Sequence, residues 1–292
     1  MGAGHDLPLW DDDTWNDGTW GDGTGNDGTG NETVPAAILS ATAAVDPVVA
    51  TTEPVVIAEV ATEAVAPGPW AGPLGVFDLE TTGIDVRSDR VVSAHVGVLD
   101  ASGAVIDART WLADPGIEIP AGATAVHGIT TERARREGRP AAEVVAEVIA
   151  TLRDLFAAGI PVVAYNAPYD FSLLKYEGIR HGVPPIEAPS PVIDPLVVDK
   201  TYDRYRRGKR TLEVVAAHYC VTLEGAHDAA ADAIAAGRVA QAIAARFDLD
   251  VSADDLHTQQ IGWARAQAES LSEYFVRIGR LDADVDGSWP IR

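Results

Sequence analysis

Basic residues are missing from the start of the chain: no lysine or arginine occurs before Arg87. Residues 1–72 hold 12 of the 44 acidic residues and none of the 22 basic ones, within a chain of net charge −22. Affinity for nucleic acid usually comes from neutralising phosphates, which argues against binding by residues 1–72. Because the deficit is concentrated there, it does not exclude nucleic-acid binding by the remainder.

Cysteine and long apolar runs are also scarce. The one cysteine, Cys220, excludes an internal disulfide and fits a reducing compartment. The N-terminus has no cationic segment followed by a continuous apolar core, so no signal peptide is expected. No uninterrupted apolar run reaches the ~20 residues that a membrane-spanning helix requires. We therefore expect a cytoplasmic protein with no membrane partner.

Residues 1–72 differ in composition from the rest of the chain. Residues 11–33 repeat short phrases of aspartate, glycine and threonine, and residues 34–72 are rich in alanine, valine and proline. Acidic, glycine-rich sequence buries too little apolar surface to offset its conformational entropy, and closely spaced prolines interrupt helices and strands. Residues 1–72 are therefore predicted to be a disordered acidic tail followed by an alanine- and proline-rich linker.

From residue 73 onward, strand and helix patterns alternate. Strands are predicted at 74–79, at 91–99, at 104–112 and within the phrase GIPVVAYN, and a strand or a turn is predicted around 192–194. Helices are predicted at 140–158, from about Pro168, at 211–220 and at 228–246. Strands that precede helices in this order indicate an α/β domain over residues 73–246, with an antiparallel hairpin on one side.

The last predicted segment, residues 247–292, is a C-terminal amphipathic helical extension. Ser252 and Asp255 have the spacing of a capping box, and apolar residues recur at helical intervals over 252–280. Packing of this helix on the α/β domain is the favoured interpretation, and binding of a partner is the alternative.

Acidic side chains stand at three strand–helix junctions of the α/β domain. In GVFDLETTG, Asp78 and Glu80 are two residues apart in a strand, so both carboxylates point to the same side. Asp170, in YNAPYDFSLL, lies in the first turn of a helix, and Asp232, in HDAAADA, lies one turn inside another. Open α/β sheets bind ligands beyond the carboxyl ends of their strands, so we expect all four carboxylates at one edge.

Four carboxylates with no fixed cation among them indicate bound divalent metal. Clustered like charges are costly unless a cation neutralises them, and carboxylate oxygens suit Mg²⁺ or Mn²⁺. Two such ions about 3.5–4 Å apart can clamp the attacking and leaving oxygens of a phosphoryl displacement. His227 can accept a proton from the attacking water, because histidine titrates near neutral pH. For Asp228 and Asp232 by themselves, a capped helix start is the simpler explanation.

The phrases FDLETTG, YNAPYDFSLL and HDAAADA, in this order, resemble the three exonuclease motifs of the DEDD superfamily in its histidine branch. The resemblance spans residues 73–246 and includes AGATAVHGIT at 121–130 and GKRTLEVVAAHYCV at 208–221. It implies a ribonuclease H-like fold, with a five-stranded mixed sheet flanked by helices. It also implies a 3′→5′ exonuclease activity that releases nucleoside 5′-monophosphates.

The resemblance also implies roles for individual residues. Catalysis and the binding of two Mg²⁺ or Mn²⁺ ions are implied for four carboxylates: Asp78, Glu80, Asp170 and Asp232. The general base is implied to be His227. Contacts with the 3′-terminal nucleotide or the scissile strand are implied for five residues: Thr81, Thr82, Val126, His127 and Asn166. For Asn166, a local helix cap is an alternative of nearly equal weight.

Several functions remain open at this stage. The expected partner is a nucleic-acid 3′ end, most simply single-stranded DNA, and the enzyme acts either alone or beside a replicative polymerase. The alternatives are an exonuclease for RNA or oligoribonucleotides and an inactive exonuclease-like module that binds nucleic acid or a polymerase. Two basic clusters, at 133–139 and 204–210, are interpreted either as solvated surfaces or as patches that contact phosphates.

Overall fold

The computed structural model describes residues 70, 72–223, 225, 227–280 and 285–292. Of the tail and linker expected over residues 1–72, only Trp70 and Gly72 are therefore described. Trp70 is buried, and it packs in the same apolar cluster as Leu74 and Leu256. Packing of the α/β domain thus begins before the boundary expected at residue 73.

The described residues form six strands and eight helices. The strands are β1 (Leu74–Thr81), β2 (Val91–Leu99), β3 (Val105–Asp114), β4 (Arg139–Pro140), β5 (Val162–Val163) and β6 (Val192–Ile193). The helices are α1 (Ala121–His127), α2 (Thr131–Glu137), α3 (Ala141–Ala157), α4 (Ala167–His181), α5 (Pro195–Tyr202), α6 (Leu212–His218), α7 (Ala229–Phe247) and α8 (Ala253–Arg277). Among the described residues, no helix is both long enough and apolar enough to cross a membrane.

The strands form one mixed sheet in the order β4-β3-β2-β1-β5-β6. β1, β2 and β3 are antiparallel neighbours, and β5 and β6 continue the sheet parallel to β1. The prediction of five strands was wrong by one. The sixth, β4, is a two-residue strand that pairs with Ala113 and Asp114, and its second residue, Pro140, also occupies the N-cap position of α3. A segment this short has no periodicity of its own from which it could be predicted.

Long elements lie close to their predicted positions, whereas short ones were missed. β2 has the predicted bounds, and α3 and α7 each lie within about one residue of theirs. Helices α1, α2 and α5 have seven or eight residues and were not predicted. Two helical turns give too few repeats for an apolar period to stand out.

The alternation of side chains along β1 divides the core into two layers. Phe77 and Leu79 face α3 and α4 and belong to one apolar cluster, while Leu74 and Val76 face α6 and α7 and belong to the other. Asp78 and Glu80 continue the series of Leu74 and Val76, since side chains on one face of a strand are two residues apart. Their carboxylates therefore point to the side of the sheet covered by α7.

Helix α7 approaches β1 closely because of a glycine in its middle. A Cβ atom at Gly237 would lie 2.5 Å from Cγ1 of Val76 and 2.6 Å from Cδ1 of Leu99. Glycine costs helix stability relative to alanine, but here it allows the helix to rest directly on the sheet. The first turn of α7, which carries Asp232, is thereby brought to the end of β1.

Helix α8 packs on the sheet edge formed by β6. Leu256 is fully buried, and so is Gln260, whose Nε2 donates to the carbonyl of Val192 at 3.0 Å. Oε1 of Gln260 accepts from the backbone N–H of Asp194 at 2.7 Å. At the start of the helix, the hydroxyl of Ser252 accepts from the N–H of Asp255, which is the bond that the capping-box spacing predicts.

Candidate metal centre

Three carboxylates meet where β1 ends. Ligand oxygens of Asp78, Glu80 and Asp232 all lie within 4.8 Å of one another, and all three side chains are partly exposed. The first two come from β1 and the third from the first turn of α7, whose N-terminus is capped by Asp228 through the N–H groups of residues 230 and 231. The structure thus brings together residues that are more than 150 positions apart in sequence. We call Asp78, Glu80 and Asp232 the acidic trio.

Asp170 lies beside the acidic trio but is oriented differently. It is buried in the first turn of α4, with 3% of its surface exposed. Its Oδ1 accepts a hydrogen bond from the backbone N–H of Leu79, at 3.1 Å, between the two acids of β1. One oxygen of Asp170 is therefore committed to the strand, and this bond fixes α4 against β1.

The carboxylates repel one another in a partly buried site. Burial, together with the charges of Asp170 and Glu80, raises the pKa of Asp78 well above its usual value. Burial and then the charge of Asp232 raise the pKa of Glu80 to about 8. Burial likewise raises the pKa of Asp170 and that of Asp232. Without a cation these carboxyl groups resist ionisation, and a bound cation would stabilise their ionised form.

The shifted carboxylates predict that the metal-free protein loses stability as the pH rises. Between about 4.5 and about 8, folded Glu80 keeps a proton that the unfolded chain releases, so stability present at low pH is lost as the pH passes the folded pKa. We expect Glu80→Gln to become progressively more stable than the parent over this range in chelator-treated protein, as measured by thermal unfolding. A difference in melting temperature that does not change with pH would contradict this prediction.

His227 stands immediately before Asp228 and has a left-handed backbone, with φ of 66°. Its backbone N–H donates to Oδ2 of Asp232 at 3.2 Å, which links the loop to the acidic trio. The imidazole is about half exposed, and its Nε2 lies 4.0 Å from Oε1 of Glu213 on α6. The loop that carries His227 is thus tied to the trio through its backbone, while the imidazole is open to solvent.

Thr81 and Thr82 shape the loop that follows β1. Both are buried, and the hydroxyl of Thr81 donates to the carbonyl of Gly83 at 2.8 Å. The hydroxyl of Tyr169, on α4, lies 2.7 Å from the same carbonyl and also within hydrogen-bonding distance of Thr81. Each hydroxyl has one proton, so two of these three contacts are hydrogen bonds at any one time. The hydroxyl of Thr82 donates to Asp89 at 2.8 Å. These side chains hold the loop in place. Tyr169 was not predicted from the sequence, because an aromatic residue beside an acid does not by itself indicate a function.

Val126 and His127 end α1 near the acidic trio. Val126 is 42% exposed. Nδ1 of His127 accepts from the N–H of Ile129 at 3.1 Å, and its buried Nε2 has no hydrogen-bond partner among the described residues. Burial lowers the pKa of His127, which favours the neutral ring. The neutral ring then carries its proton on Nε2, and the nearby backbone of Thr81 opposes part of the shift in pKa.

Asn166 occupies the N-cap position of α4 in a left-handed conformation, with φ of 59°. Its side chain makes no capping bond; Asp194 supplies the cap instead by accepting from the N–H groups of Asn166 and Ala167, each at 3.0 Å. The carboxylate of Asp194 also accepts from the N–H of Leu196 at 3.0 Å and from Nε1 of Trp289 at 3.3 Å. This buried acid therefore holds two helix starts and the C-terminal segment together.

Sequence reasoning missed Asp194, although a local signal was present. In VIDPL, an aspartate followed by proline at the end of a strand is the usual start of a helix, and Asp194 does cap α5. Its second cap, on α4, links residues 28 positions apart and depends on β5 and β6 being neighbours. No local pattern contains that information.

We predict that Asp194→Ala lowers the free energy of unfolding by more than about 3 kcal/mol, since each buried donor left unsatisfied costs about 1–3 kcal/mol. Trp289→Phe, which removes one donor and keeps an aromatic ring, should have a smaller effect. Urea unfolding followed by fluorescence and circular dichroism measures both, with the exposed Asp154→Ala as the matched control. Equal stability of the Asp194 and Asp154 variants would show that the four donors find other partners.

The two basic clusters have different environments. In the first, the arginines form ion pairs on the surface: Arg133 and Arg136 with Glu137, and Arg139 with Glu143 and Glu147. In the second, Arg206 and Arg210 bind the buried carboxylate of Asp199, which also accepts from the hydroxyl of Tyr219. The remaining three basic side chains of the second cluster are exposed: Arg204, Arg207 and Lys209. Asp199 thus fixes a loop that presents positive charge.

A mixed α/β sheet carries an acidic trio at the end of its first strand and a histidine five residues before the last of the three acids, and a family match shows that this chain is of the nuclease class. The family model described as Exonuclease (RNase_T) matches residues 76–240, which is more than half of the chain. The chain belongs to this exonuclease family. The predicted resemblance to the DEDD superfamily, and within it to epsilon-like proteins, is confirmed.

Curated relatives align with the same region. A "DNA polymerase III PolC-type" protein of Streptococcus agalactiae is 31% identical over 165 residues, which are 56% of this chain and 10% of that protein. A "DNA polymerase III subunit epsilon-like protein" of Rhodobacter capsulatus is 30% identical over 164 residues, which are 55% of this chain and 22% of that protein. The chain thus spans less than a quarter of the length of either relative.

A solved structure has the same fold. E. coli Exonuclease I in complex with a dT13 oligonucleotide matches with a TM-score of 0.52 and 21% identity, covering 61% of this chain and 42% of that chain. At this identity the match concerns the fold alone. It confirms the predicted ribonuclease H-like architecture.

Proposed function

We propose that this protein is a metal-dependent 3′→5′ exonuclease that hydrolyses phosphodiester bonds at DNA 3′ ends and releases nucleoside 5′-monophosphates. The observation that carries the proposal is the convergence of the acidic trio, with Asp170 buried beside it. Membership of the exonuclease family supports the reaction class. A single-stranded 3′ end is the proposed substrate.

The donor set of the acidic trio fits Mg²⁺ or Mn²⁺, both of which prefer carboxylate oxygens. Oδ1 of Asp232 is buried and has no hydrogen-bond partner among the described residues, so it is available to a cation. We assign one ion to the acidic trio and a second to Asp78 with support from Asp170. Two bound ions would stabilise charge on the attacking and leaving oxygens of the phosphodiester.

His227 is the proposed general base. Its backbone is held by Asp232, and its exposed imidazole can turn towards a water beside the trio. The imidazole takes a proton from this water while the water oxygen forms a bond to phosphorus. The bond from phosphorus to the 3′-oxygen of the preceding nucleotide then breaks, and that oxygen takes a proton from solvent.

Residues around the trio are proposed to hold the terminal nucleotide. The backbone at Thr81 and Thr82 is fixed by the loop hydrogen bonds, so its position does not depend on substrate. The exposed side chain of Val126 offers an apolar contact, and His127, whose ring lies beside the backbone of Thr81, is proposed to line the same site. The side chain of Asn166, which makes no capping bond, is proposed to position the scissile strand.

Exposed basic side chains on the loop at 204–210 supply positive charge for phosphates further along the DNA strand. Arg210, at the end of this loop, accepts through its carbonyl from the hydroxyl of Tyr165, which directly precedes Asn166. The loop is thus tied to the start of α4. We further propose that the protein acts in the cytoplasm beside a replicative DNA polymerase, in proofreading or repair; the names of the relatives, which refer to DNA polymerase III, support the contact with a polymerase.

One digest tests the proposal. Single-stranded DNA labelled at the 3′ end or at the 5′ end, mismatched duplex and RNA of the same sequence are incubated with the protein and Mn²⁺. We expect the 3′ label to appear at once as a mononucleotide, while the 5′ label moves stepwise through shortening products. Release of a 5′-terminal mononucleotide would overturn the polarity, and faster digestion of RNA would favour the ribonuclease alternative.

A further inference from the structure

The outer edge of the sheet is open along most of β3. On its inner side, β3 pairs with β2 from Val105 to Leu112, but on its outer side only Ala113 and Asp114 pair with β4. The six residues from 105 to 110 are all exposed, and Ile106 is 60% exposed. An open strand edge is a template for pairing with another strand.

At Ala108 the open edge presents backbone groups that take no part in the hydrogen bonds of the sheet. The N–H of Ala108 donates to the carboxylate of the adjacent Asp107, at 2.9 Å, and therefore does not bond to β2. In an antiparallel strand the N–H and the C=O of one residue point to the same side. Both groups of Ala108 therefore face outward, where another strand would meet them.

The charges along this edge are complementary to those of a second copy of the same edge. Asp107 and Arg109 flank Ala108 and lie on one face of β3. If two copies pair antiparallel about a two-fold axis through Ala108, each Asp107 lies opposite Arg109 of the other copy. An axis through Asp107 or through Arg109 would instead place like charges opposite each other, which is destabilising. Axes through Ile106 or Thr110 would place each of these charges opposite an uncharged residue, so only the axis through Ala108 brings opposite charges together.

The neighbouring elements leave room for this register and limit its length. The open stretch is bounded by the turn at 100–104 on one side and by β4 on the other. A β-bulge at Ile106 interrupts the ladder with β2. Bulges and charges commonly protect an edge against pairing, but a pair of opposite charges two residues apart gives no protection against a copy of itself.

We propose that this protein forms a two-fold symmetric homodimer in which the β3 strands of two copies pair antiparallel about Ala108, so that the two sheets become one. The backbone N–H and C=O of each Ala108 form hydrogen bonds with those of the other Ala108. The carboxylate of Asp107 gives up its bond to the N–H of Ala108 in its own chain and pairs with Arg109 of the second copy. The long hydrogen bond of Arg109 to Thr151, 3.4 Å, is given up in the exchange. The paired segment is short, so the dimer forms at micromolar concentrations.

Charge reversal tests the register. In sedimentation velocity over a range from low to high micromolar concentration, the full wild-type chain should shift from monomer to dimer. Asp107→Arg and Arg109→Asp should each sediment as monomers throughout, because each places like charges in both pairs. Mixing these two variants should restore a dimer, since the mixed pair again has opposite charges at both positions. Asp154→Arg, with the same charge change on the exposed surface of α3, should dimerise as the wild type does.

Cross-linking provides a second measurement that does not depend on the charge variants. Ala108→Cys places a thiol on the two-fold axis, where the Cβ atoms of directly opposed residues lie about 4.5–5.5 Å apart. Mild oxidation should give a covalent dimer of this variant, whereas the wild type, whose only thiol is on Cys220, should give the background level. A wild-type monomer at all concentrations, reversals without effect, or no cross-link above background would each overturn the proposal.

Discussion

We expect Asp78→Asn protein to show no metal-dependent digestion of single-stranded DNA above the assay background. Asp78 is the acid shared by both proposed ions, and its carboxylate belongs to the acidic trio. Asparagine has nearly the same shape but carries no charge and offers one oxygen instead of two, so the site loses its central ligand. Initial rates with Mg²⁺ and with Mn²⁺ measure the loss.

Thermal unfolding separates loss of metal from loss of fold. A ligand that binds only the folded state stabilises it by about 2.7 kcal/mol at a concentration 100 times its Kd. Mn²⁺ should therefore raise the melting temperature of the wild type, and it should raise that of Asp78→Asn much less. Without metal, the variant should be at least as stable as the wild type at pH 8, because one of the mutually repelling acids is gone.

The exposed Asp154→Asn is the matched control, and it should keep full activity and the full response to Mn²⁺. Normal digestion by Asp78→Asn would remove the metal assignment altogether. An inactive variant that keeps the wild-type response to Mn²⁺ would instead place the metal site elsewhere. The two readouts therefore distinguish the chemistry from the binding of metal.

We expect His227→Ala protein to retain metal binding but to digest DNA ~10²–10⁴-fold more slowly, since this is the usual contribution of a general base to the rate. His227 does not belong to the acidic trio. The increase in melting temperature on addition of Mn²⁺ should therefore stay close to that of the wild type. The bond from the backbone of residue 227 to Asp232 does not need the imidazole. Single-turnover rates measure the chemical step directly.

His227→Asn provides the matched variant for backbone effects. Residue 227 has a positive φ, which asparagine tolerates better than alanine does, and an amide cannot act as a base at neutral pH. Equal losses in both variants would indicate loss of the imidazole alone. Activity retained in His227→Asn would show that only the backbone conformation matters, and another group would then have to accept the proton.

Predictions from the sequence succeeded where the information is local. The period of two in β1 placed Asp78 and Glu80 on one side, and the cap at Asp228 is the one that the helix start indicated. The role of Asp170 was only partly accessible. Its place in the first turn of α4 follows from the chain, whereas its bond to Leu79 depends on α4 lying against β1.

The sequence by itself determined which acids are available and on which element each one stands, because side-chain periodicity and capping act within a few residues. Only the tertiary structure decided how near these acids come to one another. That distance depends on Gly237 letting α7 rest on β1. It depends as well on α4, whose start is capped by Asp194 from a neighbouring strand. Contacts between distant segments arise from packing of whole elements, and no short stretch of sequence encodes them.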